Sequence, residues 1–274
     1  MHTLNVSVGK ARADIAIFDP EDARRYGVET WSLKSLQRQA DTLDNALLAD
    51  ALSHNLYWLG IYKAFAPNVV SGSGCIAVPS DLEHRICLGR AVLNRKQEFP
   101  ADGVFLERNQ GFVMSSAGCP VILASAGGDF IAAHAGRDSL IDRGAVEGRP
   151  ARKHVSVVGV ILEKLRRNAS SDIAMTMLLS IPARKFEHSA DHPQHGVYNR
   201  KLATFVERHW PDSILREEGR TFLDLQQMFL EQARQAGIRH ARATHSLDMY
   251  PNLAHTRDGK GADRRNLVIV KRDA

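Results

Sequence analysis

Short apolar runs dominate this chain, and only a few stretches carry their apolar residues at helical spacing. Leu43, Leu47, Leu48, Leu52 and Leu56 recur at such intervals. They predict a helix within 36–65, where no Gly or Pro interrupts before Gly60. Residues 1–35 offer only weak strand-like patches, such as 13–18. Gly72-Ser73-Gly74 introduces a short strand at 75–78, stopped by Pro79. From 85 to 141 the pattern is β-structure with tight turns. A helix follows at 156–165 with Ser156 as its N-cap, then a strand at 173–179 that ends before Pro182. The segment 188–195 is a polar loop, and 197–209 is a helix closed by Pro211. A helix is expected at 221–236, capped by Thr221 with Asp224 three places on. Phe222, Leu225, Met228, Phe229 and Ala233 form its apolar face, and Gly237 is its stop. The final strand is 266–270. No repeat, low-complexity stretch or linker divides the chain. The expectation is one α/β domain over 1–274, with a mixed β-sheet core and peripheral helices.

Composition narrows the class. A hydrophobic fraction of 44% with 24% charged residues is that of a globular chain. The net charge of +5 is spread along the sequence. It reads as a solvated surface with no nucleic-acid partner, or as a basic rim around an anionic small-molecule substrate. The first residues lack the basic-then-apolar pattern of a signal peptide, and no apolar run approaches the roughly 18 residues of a membrane span. Cys75, Cys87 and Cys119 cannot all pair within one chain. The expectation is a reducing, cytoplasmic location with free thiols.

The candidate chemistry centres on Cys119 and His134. Each lies in a strand-like run with a Pro or Gly within two residues, and the turn signal Gly127-Gly128 separates the two runs. Neighbouring strands would bring both side chains to one sheet edge. A thiol and an imidazole there suit either metal ligation or a thiolate nucleophile with its base. His188, His192 and His195 sit among Ser, Pro and Gly and read as a solvated loop. There is no phosphate-binding glycine loop and no Cys-x-x-Cys.

Ala101-Asp102-Gly103, Ala117-Gly118-Cys119-Pro120-Val121 and His134-Ala135-Gly136 follow one another in the order and spacing of the YfiH family. That family is also called the polyphenol oxidoreductase or laccase-domain family, and its members include purine nucleoside phosphorylases. The resemblance implies the YfiH-like fold, a Zn site formed by His84, Cys119 and His134, and a catalytic role for all three. It also implies a purine nucleoside and phosphate as substrates of a phosphorylase or deaminase, with Arg137 and Arg257 contacting the substrate. Gly118 stands where the family has Asp, and Arg137-Asp138-Ser139 where it has Trp-Arg-Gly. The chain also resembles the cytotoxic necrotizing factor and chemoreceptor deamidase group, which places a Cys after small residues and a His on the next strand. That likeness implies a metal-free Cys–His amidohydrolase. A degenerate, non-catalytic member is the third alternative.

Overall fold

The computed structural model describes residues 1–33, 36, 43–69, 74–82, 84–96, 98–149, 153–166, 172–254 and 264–273. It is a mixed α/β fold built on two large sheets. The first sheet has seven strands in the spatial order His2–Val8, Ala11–Phe18, Asn266–Arg272, Gln110–Ser116, Lys63–Phe65, Ala91–Asn94 and Arg85–Leu88. The second has six, in the order His240–Thr244, Ala174–Leu178, Val121–Ala126, Asp129–His134, Gly103–Phe105 and Ile76–Ala77.

The run Leu267–Val270 is apolar throughout because its strand lies in the middle of the first sheet and is covered on both faces. Val268 and Val270 enter one core together with residues of the second sheet, and Leu267 and Ile269 enter another beneath the Leu43–Trp58 helix. The amino terminus pairs with this strand as a regular hairpin, His2–Val8 with Ala11–Phe18. The weak patches expected at 1–35 understate it. Ala13, Ile15 and Ile17 face one core while Ala16 and Phe18 face the other, so the usual alternation of apolar and polar residues is missing.

The predicted helix at 36–65 is shorter than expected. Residues 34–35 and 37–42 lie outside the described residues, and the helix spans Leu43–Trp58. Gly60, at φ 66°, ends it with the Ile61 N–H donating to Leu56 O and the Gly60 N–H to Tyr57 O. Lys63–Phe65 is a strand. The helix expected at 221–236 also begins later. Thr221 lies in the strand Arg220–Leu223, which pairs with Ile214–Glu217 across Glu218-Gly219. Both turn residues have positive φ, the geometry of a tight hairpin. Asp224 caps the Leu225–Gln235 helix, its Oδ1 accepting from Gln226 N and Gln227 N. A β-branched and an aromatic residue before a strong capping residue favour this division over a longer helix.

The helices Val157–Arg166 and Gly196–His209, and the strand Ala174–Leu178, stand where the pattern put them. Within 85–141, Arg137–Leu140 is a single helical turn and not part of a strand. No helix among the described residues is long and apolar enough to cross a membrane.

Candidate functional site

The run 112–123, expected as one strand, is two strands in different sheets. Gln110–Ser116 belongs to the first sheet and Val121–Ala126 to the second, so Ala117–Pro120 is a crossover. Gly118 makes the bend at φ 100°, a conformation that the carboxylate residue usual in the family would adopt only with strain. Ser116 Oγ fixes the corner by accepting from Cys119 N at 2.8 Å and donating to Cys119 O at 2.9 Å. Cys119 is therefore held, partly exposed, at the entrance to the Val121–Ala126 strand.

His134 closes the strand antiparallel to it. Gly127 and Gly128, at φ 57° and 98°, form the hairpin turn, and Val121 stands opposite His134. The Ala135 N–H donates to Pro120 O at 2.8 Å, carrying the pairing to the residues beside Cys119. The expected convergence is present. A Cβ on Gly136 would lie 2.9 Å from His134 Nε2 and 3.2 Å from Cys119 Sγ. Sulfur and imidazole thus meet at the missing side chain of Gly136.

Behind the imidazole lies a polar relay. His134 Nδ1 is 3.0 Å from Ser139 Oγ, and Ser139 Oγ is 2.8 Å from Asp102 Oδ1. A carboxylate only accepts, so the Ser139 hydroxyl donates to Asp102 and receives the Nδ1–H of His134. The proton that can move is then the one on Nε2, beside the sulfur. Asp102 is fully buried and also accepts the Gly74 N–H at 2.8 Å. It reaches the site because the His134 N–H donates to Asp102 O at 2.8 Å. The Ala-Asp-Gly motif has a packing reason too. A Cβ on Gly103 would come within 2.5 Å of Ala132 O and of Ala133 Cβ. Asp102 was visible in that motif without a role, and Ser139 was visible only as a departure from the family pattern.

Burial pushes the Cys119 thiol up, yet the charge and hydrogen bond of His134 outweigh it and bring the thiol below its ordinary value. Arg265 contributes in the same direction, and Asp138 opposes it. Burial likewise disfavours the imidazolium of His134. The facing sulfur and Asp102 more than compensate, and its pKa rises to about 10. The contact thus favours the thiolate of Cys119 and the imidazolium of His134 over the neutral pair.

His84 does not join them. It is exposed, immediately before the edge strand Arg85–Leu88 of the first sheet, while Cys119 enters and His134 closes neighbouring strands of the second. Among the described residues, no three His, Cys, Asp or Glu side chains are grouped to hold a metal ion, so the expected three-ligand donor set is not assembled.

Arg137 follows the site directly. Its Nε donates to Asp138 Oδ1 at 2.7 Å, its Nη1 lies 3.2 Å from His188 Nε2, and its guanidinium stacks over Tyr198 at 5.5 Å. His188 was expected in a solvated loop and is instead buried, with Nδ1 3.1 Å from Phe186 O. Donation from Nδ1 leaves Nε2 as the acceptor for Arg137. His192 and His195 do lie toward the surface, their rings stacked at 4.7 Å. Arg257 lies outside the described residues. Arg265, in the Arg264-Arg265 pair, is the cation that acts on Cys119; in the sequence only its position in a charge cluster marked it.

No protein-family model matches the chain, and no curated protein matches it in sequence. Solved structures do. A Neisseria meningitidis protein assigned to DUF152 superposes with a TM-score of 0.64 at 14% identity, over 100% of both chains. The Bacillus licheniformis hypothetical protein YfiH gives 0.64 at 13% identity, over 96% of this chain and 92% of its own. YlmD from Geobacillus stearothermophilus gives 0.61 at 16% identity, over 97% and 93%. This chain therefore has the fold shared by the DUF152, YfiH and YlmD proteins.

Proposed function

We propose that the chain is a cysteine-dependent amidohydrolase whose nucleophile is Cys119. The observation that carries this reading is the Cys119–His134–Ser139–Asp102 constellation, in which a thiol lowered by the facing imidazole meets a ring whose far nitrogen is tied through Ser139 to a buried carboxylate. The thiolate adds to an amide carbon. His134 Nε2–H protonates the departing nitrogen as the carbon–nitrogen bond breaks, and a thioester remains on Cys119. Water then attacks the thioester, His134 Nε2 takes its proton, and the carboxylic acid leaves as the thiolate re-forms. The Cys119 N–H is engaged with Ser116 Oγ, so donors to the oxyanion come from elsewhere. The turn that opens at Gly136 has no side-chain cap, and a Cβ there would stand 3.2 Å from the sulfur, so in this reading its first backbone N–H groups are the oxyanion donors. Arg137 and Arg265 favour a substrate that carries negative charge.

The zinc-dependent purine nucleoside reading implied by the family resemblance needs a third ligand beside Cys119 and His134, and the described residues do not supply one. The two readings separate in one experiment. Purified protein is analysed for metal and then assayed, with and without chelator, against small carboxylated amides and against nucleosides with phosphate. Amide hydrolysis that survives chelation and is lost in Cys119→Ala supports the thiol mechanism. Nucleoside cleavage that tracks stoichiometric zinc refutes it.

A further inference from the structure

A large cavity lies away from Cys119. It has a volume of about 1390 Å³ and is lined by the Gly127-Gly128 turn, at the opposite end of the Val121–Ala126 strand from the thiol. Lys10, Arg12, Arg108, Lys271 and Arg272 line it. They come from three separate parts of the sequence, which is why the charge looks dispersed along the chain and is concentrated in the fold. Three carboxylates, Asp129, Asp172 and Asp273, share the lining, so cations outnumber anions five to three. Burial and the neighbouring Asp14 push the Asp273 carboxyl up. Burial and the neighbouring Arg108 hold Arg272 below its ordinary value. Its guanidinium donates to Leu106 O and Gly128 O, both at 2.6 Å, and neutral carbonyls do not cancel its charge. Two glycine turns, at Gly9 and at Gly127-Gly128, line the cleft, and the second leaves backbone open to a ligand. Nothing lies within 4 Å of where a Cβ on Gly128 would stand.

Lys271 also links this cleft to an aromatic rim. Its Nζ is 3.5 Å from where a Cβ on Gly60 would stand, and Trp58 and Tyr62 flank Gly60 two residues to either side. Tyr57, Trp58 and Tyr62 are 48%, 56% and 60% exposed, and Arg90 stacks over Tyr57 at 5.0 Å. Exposed aromatic faces next to a cationic groove are the parts from which single-strand sites are made, the rings stacking on bases while the cations follow phosphates. A site for one small metabolite would be smaller, roughly 300–1,000 Å³.

We propose that this cleft binds single-stranded nucleic acid, with phosphates along Lys10, Arg12, Arg108, Lys271 and Arg272 and bases on Trp58 and Tyr62. The site is independent of Cys119.

The test is fluorescence anisotropy of a labelled oligo(dT) of roughly 12 nucleotides, within the ~4–16 spanned by single-strand sites, titrated with the full chain. Five phosphate contacts predict a slope of log affinity against log salt near about −3.5, or roughly a 10²-fold loss between ~50 and ~200 mM salt. Lys10, Arg12 and Arg108 are exposed. Their combined change to Gln should cut affinity at least tenfold and bring the slope to about −1.4. Trp58→Ala should weaken binding by roughly 5- to 150-fold, the range for loss of one stacked base. Cys119→Ala should bind like the wild type. Absence of binding at the lower salt, or a triple variant with unchanged affinity and slope, overturns the proposal. Displacement by free thymidine monophosphate or inorganic pyrophosphate at the oligonucleotide's own concentration does so too, since it would mean a small-anion site. Loss of binding in Cys119→Ala overturns the location.

Discussion

Gly136→Ala puts a methyl group at the meeting point of sulfur and imidazole. The backbone there, at φ −62° and ψ 169°, is open to alanine, so the effect is steric and not conformational. The new Cβ would stand 2.8 Å from His134 Cε1, 2.9 Å from Nε2 and 3.2 Å from Cys119 Sγ. Carbon atoms prefer about 3.5–4.0 Å, so the ring must retreat by roughly 1 Å or the backbone must open. The ring cannot retreat freely, because Ser139 and Asp102 hold its far side. Overpacking of this kind costs about 1–3 kcal/mol of stability. A displacement near 1 Å between reacting groups costs roughly 10²-fold in rate. The assay is the rate of Cys119 alkylation by iodoacetamide across pH, followed by mass spectrometry, with a thermal melt on the same sample. The variant should label more slowly near pH 7, by up to roughly 30-fold because an ordinary thiol is only ~3% ionised there, with its midpoint shifted up toward that of an ordinary thiol. A folded variant that labels at the wild-type rate and midpoint would refute the inferred contact between Sγ, Nε2 and Gly136.

Four further outcomes follow from the same geometry. Wild-type alkylation should have its midpoint below the ordinary thiol value of about 8.5, and His134→Ala should move it above, because burial, the largest influence, is then opposed only by Arg265. Amide hydrolysis should fall at low pH as the thiolate is protonated, and fall again as pH rises through about 10 and His134 loses the proton it delivers; an alkaline limb near 7 would contradict the assignment. Ser139→Ala should lower turnover by roughly 10²–10⁴-fold while Cys119 remains available for labelling, and unchanged turnover would remove Ser139–Asp102 from the mechanism. His84→Ala should leave labelling, turnover and metal content as in the wild type, and joint loss of zinc and activity would restore it as a ligand.

Much of the site was legible in the residues because its key step is local. Gly127-Gly128 dictates a tight hairpin, and a hairpin register places the residue entering one strand beside the residue leaving the other. Cys119 and His134 meet for that reason. The helices at Val157–Arg166 and Gly196–His209 and the closing strand were legible from periodicity and from their stop residues. What the pattern missed depends on which surface a segment packs against. The run 112–123 carries Ser115, Ser116, Gly118 and Pro120 between two apolar halves, and these residues mark an interruption without saying that the chain changes sheets there. Residues 11–18 lose the alternation of a strand because both faces are covered, and Thr221-Phe222-Leu223 matches a helix face equally well until a hairpin partner is present.

Asp102 and Ser139 stand 37 residues apart in sequence, and only the packing of Gly103 against Ala132 and Ala133 brings the carboxylate beneath the histidine. His84 lies closer in sequence to Asp102 than Ser139 does, yet it stands exposed before an edge strand of the other sheet. The chain's sequence thus determined the elements and the reactive pair, since turn chemistry and hydrophobic period act over a few residues. The tertiary structure decided the relay, the separation of His84 and the gathering of five cations at the far end. Contacts between distant residues are set by packing and burial, and no local pattern encodes them.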